Sequence, residues 1–548
     1  MIQKTLAFFT SSQIRSSLTA IAIILAASAL AIASGWHDAL VVDEVPHVGA
    51  GYAYLTKQDM RLNPEHPPLV KSIGALPLLF LNIDQSAFTN NAWTNDINGQ
   101  WEFGRHLIYR SGNNAQLITR LVKFPIILFF FIPLALVIFF WTRARYGAEA
   151  GLLATLLFSF SPTVVAHSKL VTTDIPATLG VVIATFAYLY WLRNTTKKNF
   201  FLAAMAFGLA LTMKFSSVLL IPFFVVLAIL WNYRLIGKTI LMMIVGFVLI
   251  VWPVYAWHIK NYPIDRQRHD TENLITTFKD HPLGKLTLWA SGKPILRQPA
   301  HYALGFLMVV QRVDGGNQVY FRGTVADSAG PGYFPFVYLI KEPLPWLILL
   351  MIAALATLIK IKKINIREHF EEIAMLLWIA IYLTISIQNS LNIGIRHLLP
   401  IYPFMAILVS RQIVRIKPAW ILVGWFVAES LLTFPNYLSY FNQTVGGSQG
   451  GYRYVVDSNL DWGQDLKRLA DWAKENDIES IELDYFGWAD PNYYLSNRFK
   501  WLADGKPQGL WIAVSGTYLM NNSDGKYAWL VNKIPFTVIG NSIFVYHL

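Results

Sequence analysis

Two adjacent acids, Asp43 and Glu44, follow the first apolar stretch of this 548-residue chain and are its leading candidates for chemistry. A carboxylate in this setting can accept a proton from a hydroxyl group or bind a divalent cation. Pro46 suits the first turn of a helix over about 46–58, whose positive N-terminal end would help to keep both carboxylates ionised. The alternative is that the pair only caps a solvated loop helix.

A second group of polar side chains lies in the same loop region. Glu65 and His66 belong to the stretch Asn63-Pro64-Glu65-His66-Pro67-Pro68-Leu69. Lys71 follows this stretch, and His47 follows the acid pair. Carboxylate, imidazole and ammonium groups gathered in one loop are typical of a site for a polar or anionic substrate. The alternative is that His66-Pro67-Pro68 is only a rigid turn.

The composition is that of a polytopic membrane protein. Hydrophobic residues make up 54% of the chain and charged residues 14%, whereas a soluble domain carries about 25% charged residues. The absence of cysteine excludes disulfides, thiolate metal sites and a cysteine nucleophile. The net charge of +12 does not indicate a nucleic-acid partner, because most basic residues lie between apolar stretches, where they orient a chain in the bilayer.

The elements that must position the polar residues are apolar stretches long enough to be transmembrane helices. A spanning helix needs about 20 mostly apolar residues, and on this criterion we predict about 11 spans. They are residues 16–36, 121–141, 148–166, 174–192, 199–213, 215–231, 239–257, 339–359, 372–388, 397–411 and 418–435. The first span begins with basic residues like a signal peptide, but its long apolar core and its lack of a cleavage site favour an uncleaved helix.

Basic residues cluster in alternate loops, which the positive-inside rule assigns to the cytoplasm. They are Arg143, Arg145, Arg193, Lys197, Lys198, Arg234, Lys238, Lys360, Lys362, Lys363, Arg367, Arg411, Arg415 and Lys417. The loops 37–120 and 258–338 and everything after residue 436 are therefore predicted to face outward. We expect a cytoplasmic (inner) membrane protein with its N-terminus inside.

Three further charged residues lie at predicted outer ends of spans: Asp174, Lys214 and Arg396. An acid near the end of a span is costly if it is buried, which favours a functional role for Asp174. The alternative is that Asp174 lies at the water boundary. Lys214 and Arg396 can equally be basic residues that snorkel to the membrane surface.

The composition changes after Pro435. Residues 1–435 are predicted to form the transmembrane domain, and residues 436–548 a small soluble α/β domain on the outer face. Apolar residues at i, i+3, i+4 and i+7 predict a helix at 463–476, and strands are expected near 478–485, 509–515 and 542–547. The run Asp457-x-Asn459-x-Asp461 resembles the start of a calcium loop. Trp462 stands where that loop needs glycine, so we interpret the run as a turn.

Several of these stretches resemble the dolichyl-phosphate-mannose protein mannosyltransferases (family 39 type) and their bacterial relatives. These are membrane glycosyltransferases of the GT-C class, which use lipid-phosphate sugars. The resemblance is carried by Asp43-Glu44 and by His66-Pro67-Pro68-Leu69 with Lys71. Further stretches fit the bacterial branch: Thr212-Met213-Lys214-Phe215-Ser216, Lys341-Glu342-Pro343, residues 392–403, Tyr440-Phe441-Asn442 and residues 457–465. The combination is specific for the superfamily but not for a sugar or an acceptor.

The resemblance implies transfer of a sugar from a polyprenyl-phosphate donor to a hydroxyl group of a protein or of an envelope glycan or lipid. Asp43 is then the expected general base, with inversion at the anomeric carbon, and Glu44 is expected to bind the acceptor or a metal ion. The departing phosphate needs cations or hydrogen-bond donors. The expected donor-binding residues are His66, Lys71, Lys214 and Arg396. The expected substrate-binding residues are Asp174, Glu65 and His47.

The expected partners are the lipid-linked donor, its acceptor and membrane lipid. The sequence has no Gly-rich phosphate loop of the nucleotide-binding kinds, which is consistent with a donor other than a nucleotide sugar. No cofactor is expected with certainty, and a divalent cation at Asp43 and Glu44 stays open.

Other functions remain as alternatives. A transferase of lipid-linked oligosaccharide or of sugars to lipid A would share the same chemistry. A polyprenyl-lipid transporter or flippase is a different class, but the chain shows no inverted repeat of spans, and its acids cluster in one outward loop. A structural assembly protein would leave Asp43 and Glu44 without a role.

Overall fold

The protein is a mostly helical chain with one small sheet near its C-terminus. The structure, a computed structural model, describes residues 11–359 and 365–548. The predicted cytoplasmic residues Lys360, Lys362 and Lys363 lie outside the described residues. The longer helices are Ser11–Ser34, Glu44–Lys57, Ile132–Tyr146, Ala148–Ser159, Asp174–Arg193, Lys197–Leu211, Leu220–Asn232, Ile236–Gly246, Ile264–Leu274, Pro282–Ser291, Arg297–Gly315, Tyr333–Lys341, Leu344–Ile359, Phe370–Gln388, Tyr402–Ile413, Trp420–Leu432 and Leu466–Glu475.

Five segments of the described residues are long and apolar enough to cross a bilayer. They are Gln13–Ser34, Ala115–Tyr146, Asp174–Arg193, Phe215–His258 and Phe370–Gln388. A sixth candidate is the pair Tyr333–Lys341 and Leu344–Ile359, which bends by 114°. The bend follows from Pro343, because a proline disfavours helical backbone in the residue before it, and Glu342 is indeed extended. The chain is therefore an integral membrane protein.

The predicted count of about 11 spans is not confirmed. Several predicted spans correspond to helices that are shorter than the apolar core of a bilayer, which is about 30 Å thick. Ala148–Ser159 and Tyr402–Ile413 have 12 residues each, or about 18 Å of helix. Pro162 begins a separate short helix after the first of these, and Pro400 lies in a 3₁₀ turn before the second. Apolar composition continues through these breaks, so composition alone overestimates the length of the helices.

The segment Phe215–His258 folds back on itself and contains two helices. The Tyr188 hydroxyl lies 2.9 Å from both the Phe224 carbonyl oxygen and the Thr239 Oγ1. In one straight helix these two residues would be about 22 Å apart. The chain reverses at the 3₁₀ turn Tyr233–Leu235. This reversal agrees with the sequence prediction of separate spans at 215–231 and 239–257.

The C-terminal region contains the predicted sheet. A short hairpin, β1 (Val319–Phe321) with β2 (Thr324–Ala326), precedes it in the chain. The sheet has the order β4-β3-β5-β7-β6, with β3 parallel to β4 and β5 and with β7 antiparallel to β5 and β6. Its strands are β3 (Ile481–Asp484), β4 (Phe499–Trp501), β5 (Trp511–Ser515), β6 (Thr537–Ile539) and β7 (Ile543–His547). The helix Leu466–Glu475 precedes β3, so the predicted α/β character is confirmed.

Buried ion pairs join the sheet domain to the helical domain. Asp38, just after the first helix, lies 2.9 Å from Lys169 and 2.7 Å from Arg468 of the C-terminal domain. Arg468 also pairs with Asp465. A second contact stacks Trp101 on Trp488, with ring centroids 5.0 Å apart. These contacts fix the orientation of the C-terminal domain on the helices.

Candidate active site

Asp43 places a partly exposed carboxylate in the wall of a cavity. It directly precedes the helix Glu44–Lys57, and its side chain makes no hydrogen bond to that helix. The side chain is 21% exposed, and the cavity that it lines has a volume of about 290 Å³. Because Asp43 is not used as a helix cap, its carboxylate is available to groups in the cavity.

Glu44 faces away from that cavity, although it is the next residue. Its carboxylate is buried and accepts the backbone N–H groups of Val41 at 3.0 Å and Val171 at 2.9 Å. Lys123 Nζ lies 4.0 Å away. Glu44 is not among the residues that line the cavity. The structure therefore separates the two acids and gives Glu44 the task of holding two backbone segments together.

Asp43 belongs to a group of four charged residues that we call the site cluster: Asp43, Asp174, Lys214 and Arg396. Arg396 Nη1 lies 3.2 Å from Asp43 Oδ2 and 3.5 Å from Asp174 Oδ2. Lys214 Nζ donates to Asp174 Oδ1 at 2.7 Å. The buried Asp174 thus holds both cations, and three of the four residues line the cavity. The structure thus brings together four side chains that lie far apart in the sequence.

Most of the remaining cavity wall is apolar. This part of the wall comes from the segment after Lys214, from the helices Arg297–Gly315 and Tyr333–Lys341, from the end of Phe370–Gln388 and from the loop before Arg396. The residues are Phe215, Val218, Leu219, Phe306, Val309, Val313, Phe334, Ile385, Leu391 and Ile393. A charged end and an apolar wall in one cavity can hold a molecule with an anionic head and a hydrocarbon tail.

Glu65 and His66 also line the cavity. The Gln100 side-chain amide donates to Glu65 Oε1 at 2.5 Å and fixes that carboxylate. His47 lies behind His66, with the ring centroids 5.0 Å apart, and its Nδ1 donates to the Val171 carbonyl at 2.7 Å. Burial lowers the pKa of His47 to about 4 and the pKa of His66 well below its usual value. Both imidazoles are therefore neutral at pH 7 and act as hydrogen-bonding groups.

Lys71 lies behind the cavity wall and does not line it. Its buried ammonium donates to the Asn63 carbonyl at 2.6 Å, the Asn63 side chain at 2.9 Å and the His66 carbonyl at 2.8 Å. It also contacts the Tyr54 hydroxyl at 3.0 Å. Lys71 thus fixes the loop that carries Glu65 and His66, a role that its position in the sequence did not suggest.

Other residues of the cavity escaped the sequence reasoning. Arg312 brings a third cation to the wall from the helix Arg297–Gly315, and Tyr382 and His397 also line it. Trp462 and Ser458 of the C-terminal domain contact Arg396 from behind. His397 directly follows Arg396, and this adjacency could have identified His397 as a candidate site residue. No local pattern marks Arg312, and the resemblance at residues 457–465 gives Trp462 no role, because only the tertiary fold brings these side chains to the site.

The question of a metal ion was left open for Asp43 and Glu44. The two carboxylates have different partners. Glu44 accepts two backbone N–H groups, whereas Asp43 contacts the Arg396 guanidinium. Within residues 11–359 and 365–548, no group of three or more His, Asp or Glu side chains is arranged to hold a metal ion. The pair Asp43 and Glu44 is therefore not arranged as a shared metal site.

The chain resembles a known family over one segment. Residues 115–257 match the family model described as dolichyl-phosphate-mannose-protein mannosyltransferase. The resemblance to these membrane glycosyltransferases is thereby confirmed. The matched segment includes Asp174 and Lys214 of the site cluster but neither Asp43 nor Arg396. Among curated proteins, no sequence matches this chain.

Solved structures with a similar arrangement are distant. The archaeal oligosaccharyltransferase AglB from Archaeoglobus fulgidus, in complex with an inhibitory peptide and a dolichol-phosphate, is 14% identical with a TM-score of 0.42. That match covers 83% of this chain and 58% of AglB, so the chain spans little more than half of its length. ArnT from Cupriavidus metallidurans bound to undecaprenyl phosphate is 12% identical with a TM-score of 0.33, covering 96% and 97%. At such TM-scores, function must be argued from this chain's own residues.

Proposed function

We propose that this protein transfers a sugar from a polyprenyl-phosphate donor to an acceptor hydroxyl group, at the outer face of the cytoplasmic membrane. The observation that carries the proposal is the cavity itself. A partly exposed carboxylate, Asp43, lies in one wall together with the cations Lys214 and Arg396, and the rest of the wall is largely apolar. A lipid-phosphate sugar has an anionic group, a sugar and a hydrocarbon chain, and the cavity offers a matching surface for each.

In the proposed reaction, the acceptor oxygen attacks the anomeric carbon from the face opposite the phosphate. The bond from that carbon to the phosphate oxygen breaks, and the polyprenyl phosphate leaves with the electron pair. The hydroxyl proton passes to Asp43, which acts as general base. The products are an inverted glycoside and a polyprenyl phosphate, so no further reactant is needed.

The cations of the site cluster stabilise the phosphate that leaves. Lys214 and Arg396 are held by the buried carboxylate of Asp174, which fixes their positions before the donor binds. Preorganised cations cost little reorganisation when charge develops on the leaving group. Arg396 also contacts Asp43, at 3.2 Å. A donor phosphate would compete for this guanidinium and release the Asp43 carboxylate for the acceptor.

The roles of the other predicted residues follow from their positions. Glu65 and the neutral His66 face the cavity and are proposed to orient the sugar or the acceptor. Behind these two residues, Lys71 holds their loop and His47 packs against the His66 ring. We assign Glu44 no chemical role, because both of its oxygens accept backbone N–H groups.

The family resemblance supports a mannose-like hexose as the sugar, and a protein or an envelope glycan or lipid as the acceptor. A transferase of lipid-linked oligosaccharide or of sugars to lipid A would use the same cavity. A polyprenyl-lipid flippase is an outcome that the test below distinguishes, since it would move the lipid without forming a glycoside.

The test is transfer from radiolabelled polyprenyl-phosphate hexose in vesicles that contain the parent protein or Asp43→Asn. Loss of a general base lowers the rate by about 10²–10⁴-fold, so the variant should bind the donor but form almost no glycoside. Glu102→Gln is the matched control, because Glu102 pairs with Arg110 at a half-exposed site outside the cavity. Parent-like transfer by Asp43→Asn would refute the assignment of the base, and lipid movement without any product would favour a flippase.

A further inference from the structure

We infer that residues 457–464 of the C-terminal domain, which we call the bridging segment, are part of the proposed site and set the position of Arg396. Trp462 and Ser458 are then positioning residues for the guanidinium that binds the donor phosphate. The inference rests on the proposed function. It gives the C-terminal domain a specific task, which the sequence did not suggest for these residues.

Trp462 supplies a surface for the Arg396 side chain. The guanidinium carbon lies 4.1 Å from the centre of a Trp462 ring, and the indole is buried. A guanidinium that stacks on an indole face is attracted to it and is also restricted to one plane. In a site with little water this contact determines where the cation points, which an apolar residue of similar size could not do.

Ser458 fixes the same guanidinium at its edge. The Arg396 Nε donates to Ser458 Oγ at 3.2 Å, while that hydroxyl donates to the Ile393 carbonyl. With the face on Trp462 and Nε on Ser458, Nη1 is directed at Asp43 and Asp174. The C-terminal domain therefore defines two of the contacts that orient Arg396, and the helical domain defines the others.

The bridging segment also holds the backbone on both sides of the site. The Val42 N–H donates to the Trp462 carbonyl at 2.9 Å, directly before Asp43. The Ile395 N–H donates to Asn459 Oδ1 at 2.9 Å, directly before Arg396. One short segment thus ties the loop of the proposed base to the loop of the phosphate-binding cation.

The C-terminal domain in turn anchors the bridging segment. Thr517, just beyond β5, accepts the Asp457 N–H at its hydroxyl at 3.1 Å and donates its own N–H to Asp461 Oδ2 at 3.1 Å. Asp457 has a φ of +58°, a left-handed conformation that few residues other than glycine adopt. Such a conformation persists only where neighbouring contacts determine it. The position of Arg396 therefore depends on the fold of the sheet.

The experiment compares Trp462→Leu, Trp462→Phe and Ser458→Ala in steady-state transfer, with donor and acceptor varied separately. Trp462→Leu should raise the KM for the lipid donor about tenfold, the size expected for a desolvated cation–π contact, and leave the acceptor KM unchanged. Trp462→Phe keeps an aromatic face and should recover most of the affinity. Ser458→Ala should raise the donor KM about tenfold, the lower end for one hydrogen bond to a charged group.

Trp529→Leu is the matched control. Trp529 also lies in the C-terminal domain under a cation, the Lys533 ammonium at 5.0 Å from its ring centre, but it does not line the cavity. Its substitution removes the same kind of contact and should leave the donor KM unchanged. A loss of folded protein would lower the apparent rate of either variant without changing the donor KM, so the two effects separate.

A double-mutant cycle with Arg396→Lys tests whether Trp462 acts through the guanidinium. In the Arg396→Lys background, Trp462→Leu should add little to the donor KM, because the planar cation is already gone. An unchanged donor KM in both Trp462→Leu and Ser458→Ala, with parent activity intact, would overturn this inference alone. Equal KM shifts in Trp462→Leu and Trp529→Leu would also overturn it. Absence of transfer by the parent would overturn the proposed function and this inference with it.

Discussion

The helix Asp174–Arg193 carries a cluster of acids and bases at each end, about 30 Å apart, and the two clusters differ in which charge is exposed. The site cluster lies at the Asp174 end. At the other end, Arg193 Nη1 lies 2.7 Å from Glu371, and Arg145 and Arg411 surround the neighbouring Glu372. We call this second group the distal cluster.

In the site cluster the most exposed member is an acid: the side chain of Asp43 is 21% exposed, that of Lys214 12% and that of Arg396 9%, while Asp174 is fully buried. In the distal cluster the order is reversed, since Arg193 is 33% exposed and Glu371 only 10%. An exposed acid held by buried cations can take part in chemistry with a molecule in the cavity. Exposed arginines around buried acids instead present positive charge at this end of the helix, which the sequence predicts to be the cytoplasmic end.

The largest expected contrast is between Arg396→Ala and Arg193→Ala. Removing one preorganised donor to a developing oxyanion typically lowers kcat by about 10²–10³-fold, and we expect this loss for Arg396→Ala. Arg193→Ala deletes the same side chain from the distal cluster and should leave transfer close to that of the parent. Initial rates at saturating acceptor, normalised to folded protein, measure both. Equal losses in the two variants would remove the distinction between the clusters.

The distal cluster should matter for stability instead. In Glu371→Gln the charged partner of Arg193 and Arg145 is lost, as is a charged acceptor for the Trp141 indole N–H at 3.1 Å. We expect a destabilisation of about 2–3 kcal/mol, the range for a hydrogen bond to a charged group. A thermal unfolding scan in detergent measures the shift, with Glu102→Gln as an exposed control. A stability equal to the parent's would show that the distal cluster contributes nothing to folding.

The smallest effect is expected for Glu44→Gln, which separates the roles of the two adjacent acids. Gln at position 44 can accept only one of the two backbone N–H groups that Glu44 accepts, so Glu44→Gln should destabilise the fold by about 1–2 kcal/mol. Transfer per folded molecule should be unchanged, in contrast to Asp43→Asn. A loss of kcat in Glu44→Gln without a change in melting temperature would show that Glu44 takes part in the chemistry.

Much of the architecture could be predicted from the sequence. Apolar stretches and turn residues indicated the helices, and three of the strands were expected near 478–485, 509–515 and 542–547, where β3, β5 and β7 are observed. Strands β4 and β6 were missed because each has only three residues. The number of spans could not be fixed, because apolar composition does not reveal where helices such as Ala148–Ser159 end.

The candidate site was predicted less completely. Asp43 was selected from its motif, Lys214 and Arg396 as cations at outer ends of spans, and Asp174 because a buried acid near the end of a span is costly. The four residues meet in one cluster. Lys71 could not be distinguished from a ligand-binding lysine, since its acceptors are mainly backbone carbonyls that no sequence pattern marks. The contribution of Trp462 depends on the docking of two domains, which single-sequence reasoning does not reach.

The order of Asp43 and Glu44 has a consequence for assigning roles to such an acid pair in other sequences. Glu44 spans from one loop to another, to the amides of Val41 and Val171, and the extra methylene gives it that reach. The shorter Asp43 keeps its carboxylate at the wall. A chain with Glu at position 43 and Asp at position 44 would keep the same charge and composition. It would lose both the backbone contacts of Glu44 and the position of the Asp43 carboxylate in the cavity wall. The acid pair is thus a directional motif, in which one member builds the scaffold that leaves the other accessible.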